Sequence, residues 1–211
     1  MAIFFNLNST FKNTKIVYFD TSVKKTTKTV YDDMVVFSDN DNNVHSINLL
    51  NQKVKKGEKT FGILGIKQVN KIINMLLKHN AEYTLKNLEH FVIGKIIERK
   101  VHPKSDKLFV LKVDFGNCQK QIVTNTTYTL TDKYFTFCLP GSITANGLEI
   151  VEGKVMNEES NGMLCSTESL GLEADKYPEF KDGFFNELRE EQKEEYKGKV
   201  IWKIIPELIN N

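Results

Sequence analysis

Short runs of apolar residues alternate with polar clusters along the first fifty positions of this 211-residue chain. Runs that are rich in β-branched and aromatic side chains and bounded by turn-forming residues are typical of β-strands. Clusters of Asn, Asp, Ser and Thr separate the runs, and residues 38–43 have the composition of a hairpin turn. The pattern therefore predicts strands within the segments AIFFNLN, KIVYFD, TVYDDMVVF and VHSINLL.

The apolar period changes from Ile66 onward. Apolar residues recur there at steps of three and four, which places them on one face of a helix that ends near His79. Together with the preceding strands, this helix predicts a small α+β domain over residues 1–86. We find no motif of chemical activity in that domain, so a spacer, a dimerisation surface and a partner-binding module all stay open. The apolar positions that define the helix are Val69, Ile72, Ile73, Leu76 and Leu77.

Five further runs with strand character follow, each bounded by Gly, Pro, Asn or Asp. Five short strands at this spacing are typical of a five-stranded Greek-key barrel of the OB type. We expect an all-β OB-fold barrel with a C-terminal extension over residues 88–205, in which residues 200–205 return as a strand that packs Trp202. The predicted barrel strands are residues 91–98, 108–115, 119–124, 134–138 and 148–155.

The composition is that of a globular protein, with 40% hydrophobic and 27% charged residues. No apolar run approaches the length of a membrane span and the start lacks the features of a signal peptide, so we expect a cytoplasmic protein. Three cysteines without CxxC spacing predict reduced, mostly buried thiols.

The net charge of +2 hides an uneven distribution. Residues 95–133 contain eight Lys and Arg against four Asp and Glu, whereas carboxylates are in excess over residues 136–182. This asymmetry indicates a polyanionic partner that contacts one side of the second domain.

The sequence contains no motif of a known catalytic class. HExxH, GxSxG and GxGxxG are absent, and GLEIVEGKV departs from a phosphate-binding loop in its glycine spacing and in its lack of a terminal Ser or Thr. The four histidines show no metal-ligand spacing, and no local motif supports a nucleophilic pair of Cys165 with His102. We therefore predict a protein that is not an enzyme and has no cofactor or metal.

The segment HPKSDKL offers the first candidate binding cluster. Pro103 restricts its own backbone and that of His102, and Ser105 and its neighbour Asp106 can close a turn on local amides. Lys104 and Lys107 would then project from a stiff loop, where they could bind phosphate. The alternative reading is a solvated turn with ordinary surface lysines.

The segment SNGMLCS offers the second candidate cluster. Gly162 permits close backbone approach, and Ser160, Asn161 and Ser166 carry groups that can donate hydrogen bonds to phosphate or ribose. Met163 adds a polarizable apolar surface for a base or sugar. The alternative reading is a turn that leads into a buried strand.

In this order, HPKSDKL, IVTN, LPGSI, SNGMLCS and ESLGL resemble the tRNA-binding domain of some methionyl-tRNA synthetase C-termini, phenylalanyl-tRNA synthetase β chains and free-standing tRNA-binding proteins. With an α+β unit ahead of it, the chain most resembles the YtpR family. The resemblance implies an OB-fold that grips the elbow of tRNA by its shape. It also implies a set of tRNA-binding residues, namely Arg99, Lys100, Lys104, Ser105, Lys107, Ser160, Asn161, Met163 and Ser166.

Two segments depart from the motifs of that domain. The family usually has a Cys-Gly-Ala/Lys-Asn run after the third strand, where this chain has Thr124, Asn125, Thr126 and Thr127. A basic residue and a Gly tend to precede its Ser-x-Gly-Met element, where this chain has Met156, Asn157, Glu158 and Glu159. The loss of a cation and the added carboxylates should weaken phosphate binding.

These features predict a non-catalytic tRNA-binding protein that acts as an accessory factor in translation or tRNA handling. The alternative is a protein-interaction or chaperone-like module that kept the barrel with weakened RNA binding. That alternative includes a homodimer or a protein partner bound through the N-terminal domain. A third reading is a detached piece of a synthetase, and it lacks any class-defining synthetase motif.

Overall fold

The structure is a computed structural model that describes residues 1–7, 10–53, 57–177, 180 and 188–210. The chain divides into two compact units by its internal contacts. The first unit comprises Met1–Leu88, Gly141–Ile143 and Pro206–Asn211. The second unit comprises Glu89–Pro140 and Thr144–Ile205.

The described residues are mostly β, with two α-helices and several short 3-10 turns. The helices are α1 (Ile66–His79) and α2 (Glu190–Tyr196). The strands are β1 (Ile3–Asn6), β2 (Lys15–Tyr18), β3 (Thr27–Val30), β4 (Met34–Ser38), β5 (Val44–Leu49), β6 (Phe61–Leu64), β7 (Phe91–His102), β8 (Ser105–Asp114), β9 (Gln119–Thr124), β10 (Tyr134–Cys138), β11 (Gly153–Val155), β12 (Glu158–Ser160), β13 (Met163–Leu164) and β14 (Ile209–Asn210).

The first unit contains one seven-stranded sheet in the order β14-β6-β1-β2-β5-β4-β3. Its pairs are antiparallel except for β14, which runs parallel to β6. The apolar face of α1 belongs to the same core as the sheet, with Ile72 and Leu76 buried alongside Phe4 and Ile47. The predicted helix is therefore confirmed at both ends, and the predicted turn at residues 38–43 does connect β4 to β5.

The second unit contains a five-stranded antiparallel sheet in the order β13-β10-β7-β8-β9 and a separate β11–β12 hairpin. Among the described residues no ladder joins β9 to β13, so the sheet is open in its hydrogen bonding. The backbone N–H of Asn161 nevertheless donates to the carbonyl of Gln121 at 2.8 Å, which places the chain after β12 alongside β9.

Two predicted strands of the second unit are wrong. Residues 148–155 form a strand only at Gly153–Val155, and that strand pairs with β12 rather than with the five-stranded sheet. Residues 200–205 form a 3-10 turn at Ile201–Lys203 because the Ile204 N–H returns to the Ile201 carbonyl at 2.9 Å. Trp202 is buried, as predicted.

Helix α2 is held to the second unit by a network of charges. The Glu194 carboxylate accepts hydrogen bonds from Lys197 at 2.7 Å and from the Tyr134 hydroxyl, and it lies 3.4 Å from the Lys95 ammonium. The bonds from Lys197 and Tyr134 lower the pKa of Glu194 to about 2. Helix α2 is thus anchored to β7 and β10 through the Glu194 carboxylate.

The cysteines follow the prediction in part. Cys138 and Cys165 are buried with their sulfur atoms 3.0 Å apart, whereas Cys118 is exposed. All three are free thiols. Burial and the neighbouring Cys138 thiol raise the pKa of Cys165 well above its ordinary value, which makes Cys165 a poor nucleophile.

Candidate nucleic-acid interface

A buried imidazole joins two hairpins of the second unit. His102 ends β7, and its Nδ1 accepts the Lys104 N–H at 3.0 Å. Because Nδ1 is an acceptor, the neutral ring carries its proton on Nε2, which donates to the Val155 carbonyl at 3.0 Å. His102 therefore fixes the tip of the β7–β8 hairpin against β11.

The tip of the β7–β8 hairpin exposes two lysines. Pro103 and Lys104 form the connection between the strands, and Ser105 Oγ accepts the Lys107 N–H at 3.3 Å. Lys104 and Lys107 are both exposed. Neither ammonium has an ionic partner within the described part of the chain. The tip therefore presents two cations on a braced turn, and Ser105 serves that turn.

Arg99 and Lys100 point to opposite faces of β7, since successive strand residues alternate. The Arg99 guanidinium stacks 3.5 Å from the centroid of the Phe109 ring and donates to the Thr127 carbonyl at 3.3 Å. Lys100 is exposed and forms an ion pair with Glu98, and that contact lowers the pKa of the Glu98 carboxyl. Arg99 is thus held by the protein, whereas Lys100 is partly neutralised.

The second predicted cluster is built into the scaffold. The Ser160 side chain is buried, where its Oγ accepts the Val123 N–H at 3.1 Å and donates to the Gly162 carbonyl at 3.2 Å. Gly162 has a φ of 143°, and a Cβ at this position would lie 2.8 Å from the Cys138 carbonyl oxygen. These residues close the chain onto β9 and β10, and the Ser160 proton is already used within the protein.

The remaining members of the second cluster are more accessible. Asn161 and Met163 are half-buried, and Met163 lies opposite Cys138 in the sheet. Ser166 is exposed, and its Oγ lies 3.2 Å from the hydroxyl of Ser169 in the 3-10 turn Glu168–Leu170. Ser166 therefore stabilises a local turn, while the half-exposed Asn161 and Met163 keep surface available for a ligand.

A shallow cleft of about 170 Å³ lies on β7, β8 and β9. Its lining includes Lys100, Lys112 and Lys120, together with the carboxylate of Glu98. Lys112 and Lys120 are not among the tRNA-binding residues that the resemblance implies, although both belong to the charge excess of residues 95–133. The cleft therefore holds three lysines on β7, β8 and β9, the first two of which form the β7–β8 hairpin.

Among the described residues no group of three or more His, Cys, Asp or Glu side chains could hold a metal ion. Neither described helix has the length and apolar composition that a bilayer crossing requires. Both ring nitrogens of His102 are hydrogen-bonded to backbone groups, Nδ1 to the Lys104 N–H and Nε2 to the Val155 carbonyl.

Comparisons with known proteins locate a family match in the same part of the chain. Residues 91–183 match the family described as "Putative tRNA binding domain". The β subunit of phenylalanine–tRNA ligase from Rhodospirillum rubrum is 40% identical over 89 residues, or 42% of this chain and 11% of that protein. The same subunit from Wolinella succinogenes is 32% identical over 96 residues, or 46% of this chain and 12% of that protein.

The chain thus spans about an eighth of the length of these curated relatives. Among solved structures, a methionyl-tRNA synthetase-related protein from Pyrococcus horikoshii is 27% identical, with a TM-score of 0.30 over 36% of this chain and 66% of that chain. Residues 91–183 are the part of the chain that is similar to the tRNA-binding domain family.

Proposed function

We propose that this protein is a non-catalytic tRNA-binding protein and that its second unit grips the tRNA elbow. The observation that carries the proposal is the His102 bridge, which brings the Lys104 and Lys107 tip against the β11–β12 hairpin within a family-matched domain. A braced pair of cations can bind backbone phosphates without reading the base sequence. Binding by shape is the expected mode for structured RNA.

We also propose that the second unit is a five-stranded OB-fold barrel within residues 88–205. Strands β7, β8 and β9 form a meander, and β10 returns beside β7, which is the strand arrangement of a Greek key. The Asn161 N–H donates to the Gln121 carbonyl and the Val123 N–H donates to Ser160 Oγ. Both bonds support closure, since they draw the end of β12 and the residue after it onto the free edge of β9.

The proposed site has a ligand-facing part and a supporting part. Lys104 and Lys107 would bind phosphates, and Lys100 would add charge on the adjoining sheet face. Asn161, Met163 and Ser166 would contact the ribose or a base. Arg99, Ser105 and Ser160 would position the surface through the bonds they make to Thr127, Lys107 and Val123.

The cellular role we propose is that of an accessory factor in translation or tRNA handling, of the YtpR type, in the cytoplasm. The first unit, with a domain over residues 1–86, would then be a module whose partner is still to be identified. The excess of cations over residues 95–133 supports the second unit as the RNA-binding part.

Fluorescence anisotropy with total tRNA at two salt concentrations tests this function. The control ligand is an RNA duplex of matched length that lacks an elbow. Affinity for tRNA should exceed that for the duplex, and it should fall by about 0.7 to 0.9 logarithmic units per decade of salt for each phosphate neutralised. Equal affinity for both ligands contradicts elbow recognition, and absence of binding at low salt contradicts the whole proposal.

A second candidate function is a protein-interaction module, either a homodimer or a chaperone-like protein. The observation in its favour is the exposure of Leu148 and Val151, at 50% and 55%, next to the exposed carboxylate of Glu152. Exposed apolar side chains with a charged rim are typical of protein contacts. Sedimentation with and without nuclease separates the two functions, because association that survives RNA removal favours the protein contact.

A further inference from the structure

The β11–β12 hairpin ends in a turn with an unusual residue at its first position. Met156 and Asn157 connect Val155 to Glu158, which pair directly, and their φ values are 48° and 79°. A two-residue turn with positive φ at both positions is of type I′, where Asn and Gly are favoured. Methionine is uncommon in this conformation, and such outliers often mark functional positions.

The turn is mounted on an ordered base. The Val155 carbonyl accepts from His102, and the Gln121 side chain donates to the Glu158 carboxylate at 3.2 Å and to the Glu159 carbonyl at 3.0 Å. These bonds tie both strands of the hairpin to the rest of the second unit. Met156 is 51% exposed at the end of this base. Its side chain is therefore presented to solvent at a defined place.

The charges around the turn favour RNA as the occupant. Only the His102 ring separates the Lys104 N–H from the Val155 carbonyl, so the cationic β7–β8 tip adjoins the turn. The Glu158 carboxylate is engaged by Gln121, and Glu159 lies directly opposite Lys154 in the hairpin. An apolar tip next to cations fits a nucleotide, whose base or ribose is apolar on its face and whose phosphate is anionic.

We propose that Met156 is a further RNA-contact residue, whose thioether packs on a base or ribose of the tRNA bound by Lys104 and Lys107. This inference rests on the proposed function. It reverses the sequence-based expectation for this turn, since the replacement of a basic residue by Met156 exchanges a phosphate contact for an apolar one. The contact depends on the shape of the exposed nucleotide rather than on its sequence.

A charge placed at the turn tests where the RNA lies. Met156→Arg should tighten tRNA binding several-fold at low salt and steepen the salt dependence by about 0.7 to 0.9 logarithmic units, as for one added phosphate contact. Leu130→Arg is the matched control, because Leu130 is also apolar, 51% exposed and in a loop of the second unit. The control should bind within about twofold of the parent. A twofold change is well below a tenfold change, which corresponds to about 1.4 kcal/mol.

A second pair of variants separates contact from turn stability. Met156→Asn suits the type I′ position, so the melting temperature should not fall, while tRNA affinity should drop about threefold or more because the apolar contact is lost. Asn157→Gly also favours the turn but keeps Met156, and it should bind tRNA like the parent. Both readouts use the full chain.

The outcomes distinguish this inference from the function on which it rests. If the parent binds tRNA and Met156→Asn binds equally well, with Met156→Arg no tighter than Leu130→Arg, the Met156 contact is wrong and the proposed function stands. If Met156→Asn abolishes self-association in sedimentation and leaves tRNA binding unchanged, the turn is a protein contact instead. If the parent does not bind tRNA at low salt, both proposals fall.

Discussion

The two predicted halves of the binding site use their polar groups in opposite ways. The β7–β8 tip keeps the ammonium groups of Lys104 and Lys107 without an ionic partner in the described part of the chain. In the segment from the end of β12 onward, the Ser160 hydroxyl bonds to two backbone groups and Gly162 packs against the Cys138 carbonyl. Residues of one sequence motif can therefore bind a ligand or build the surface that binds it, and the hydrogen-bond partners tell the two roles apart.

The largest effect on stability is expected at Gly162, in the half of the site that builds the surface. Gly162→Ala should lower the free energy of unfolding by about 2 to 4 kcal/mol, because the new Cβ meets the Cys138 carbonyl in a backbone conformation that alanine avoids. Urea unfolding measures the change. Gly153→Ala is the control, since a Cβ there has no neighbour within 4 Å. Equal stability of the two variants would contradict the scaffold role.

Ser160→Ala should destabilise the protein by about 1 to 2 kcal/mol, because it leaves the Val123 N–H without its acceptor. Its tRNA affinity, corrected for the folded fraction, should fall less than that of the Lys104 and Lys107 double variant, because Ser160 positions the surface and does not contact the ligand. Ser166→Ala serves as the comparison and should cost less stability, since Ser166 itself is exposed and water can replace its hydroxyl. A folded Ser160→Ala protein that no longer binds tRNA would assign this hydroxyl to the ligand instead.

Substitutions in the β7–β8 tip should lower the affinity for tRNA and leave the stability of the protein unchanged. Lys104→Ala combined with Lys107→Ala should weaken binding of all tRNAs by about tenfold or more and reduce the salt slope by about 1 per lysine. Thermal unfolding should be unchanged, because neither ammonium has an ionic partner in the described part of the chain. The paired control, Lys24→Ala with Lys28→Ala, removes two exposed cations from the first unit. If the control loses a similar amount of tRNA affinity, the effect comes from net charge and not from the position of Lys104 and Lys107.

The smallest effect is expected at Glu194, which anchors α2 and lies outside both halves of the proposed site. The folded-state pKa of Glu194 is lowered to about 2, so its contribution to stability is complete above its ordinary pKa of 4.5 and is lost as the pH falls from there through about 2. Since the side chain is 45% exposed, solvent screening keeps this contribution below about 1 kcal/mol.

Urea unfolding of the parent and Glu194→Gln across that pH range measures the α2 anchor. The stability difference between the two proteins should be present at pH 6 and shrink toward pH 2. Glu191→Gln, on the same helix but without an ion pair among the described residues, is the control. A difference that persists at pH 2 would show that Glu194 acts by packing rather than by charge.

The sequence predicted those elements whose side-chain pattern matches their burial. Helix α1 and strands β9 and β10 show this, because Val69, Ile72 and Leu76 of α1, Ile122 of β9 and all of β10 are buried. Leu77 of α1 is the exception, since it is 37% exposed. The strand predicted at residues 148–155 was wrong because Leu148, Val151 and Val155 are exposed. A pattern of apolar residues does not reveal whether a partner strand exists. The Leu148 N–H instead bonds to Thr144 Oγ1 at 3.0 Å in a local turn.

The candidate site was predictable as a set of segments but not as a division of roles. Pro103 and the lysines around it indicate a stiff cationic turn from their order alone. The use of Ser160 depends on Val123, a residue 37 positions earlier in the chain, and no local pattern encodes such a contact. The bridging role of His102 was not predictable for the same reason, because its second partner, Val155, lies 53 positions away.

The His102 ring has one further consequence, which concerns how motion passes between the hairpins. Its two nitrogens serve different backbone segments, so a displacement of one tip must either carry the other along or break a hydrogen bond. The two tips should then open and close as a single cooperative unit. A ligand that touches only one hairpin would slow amide exchange in the other, and the surface would stiffen as a whole on first contact.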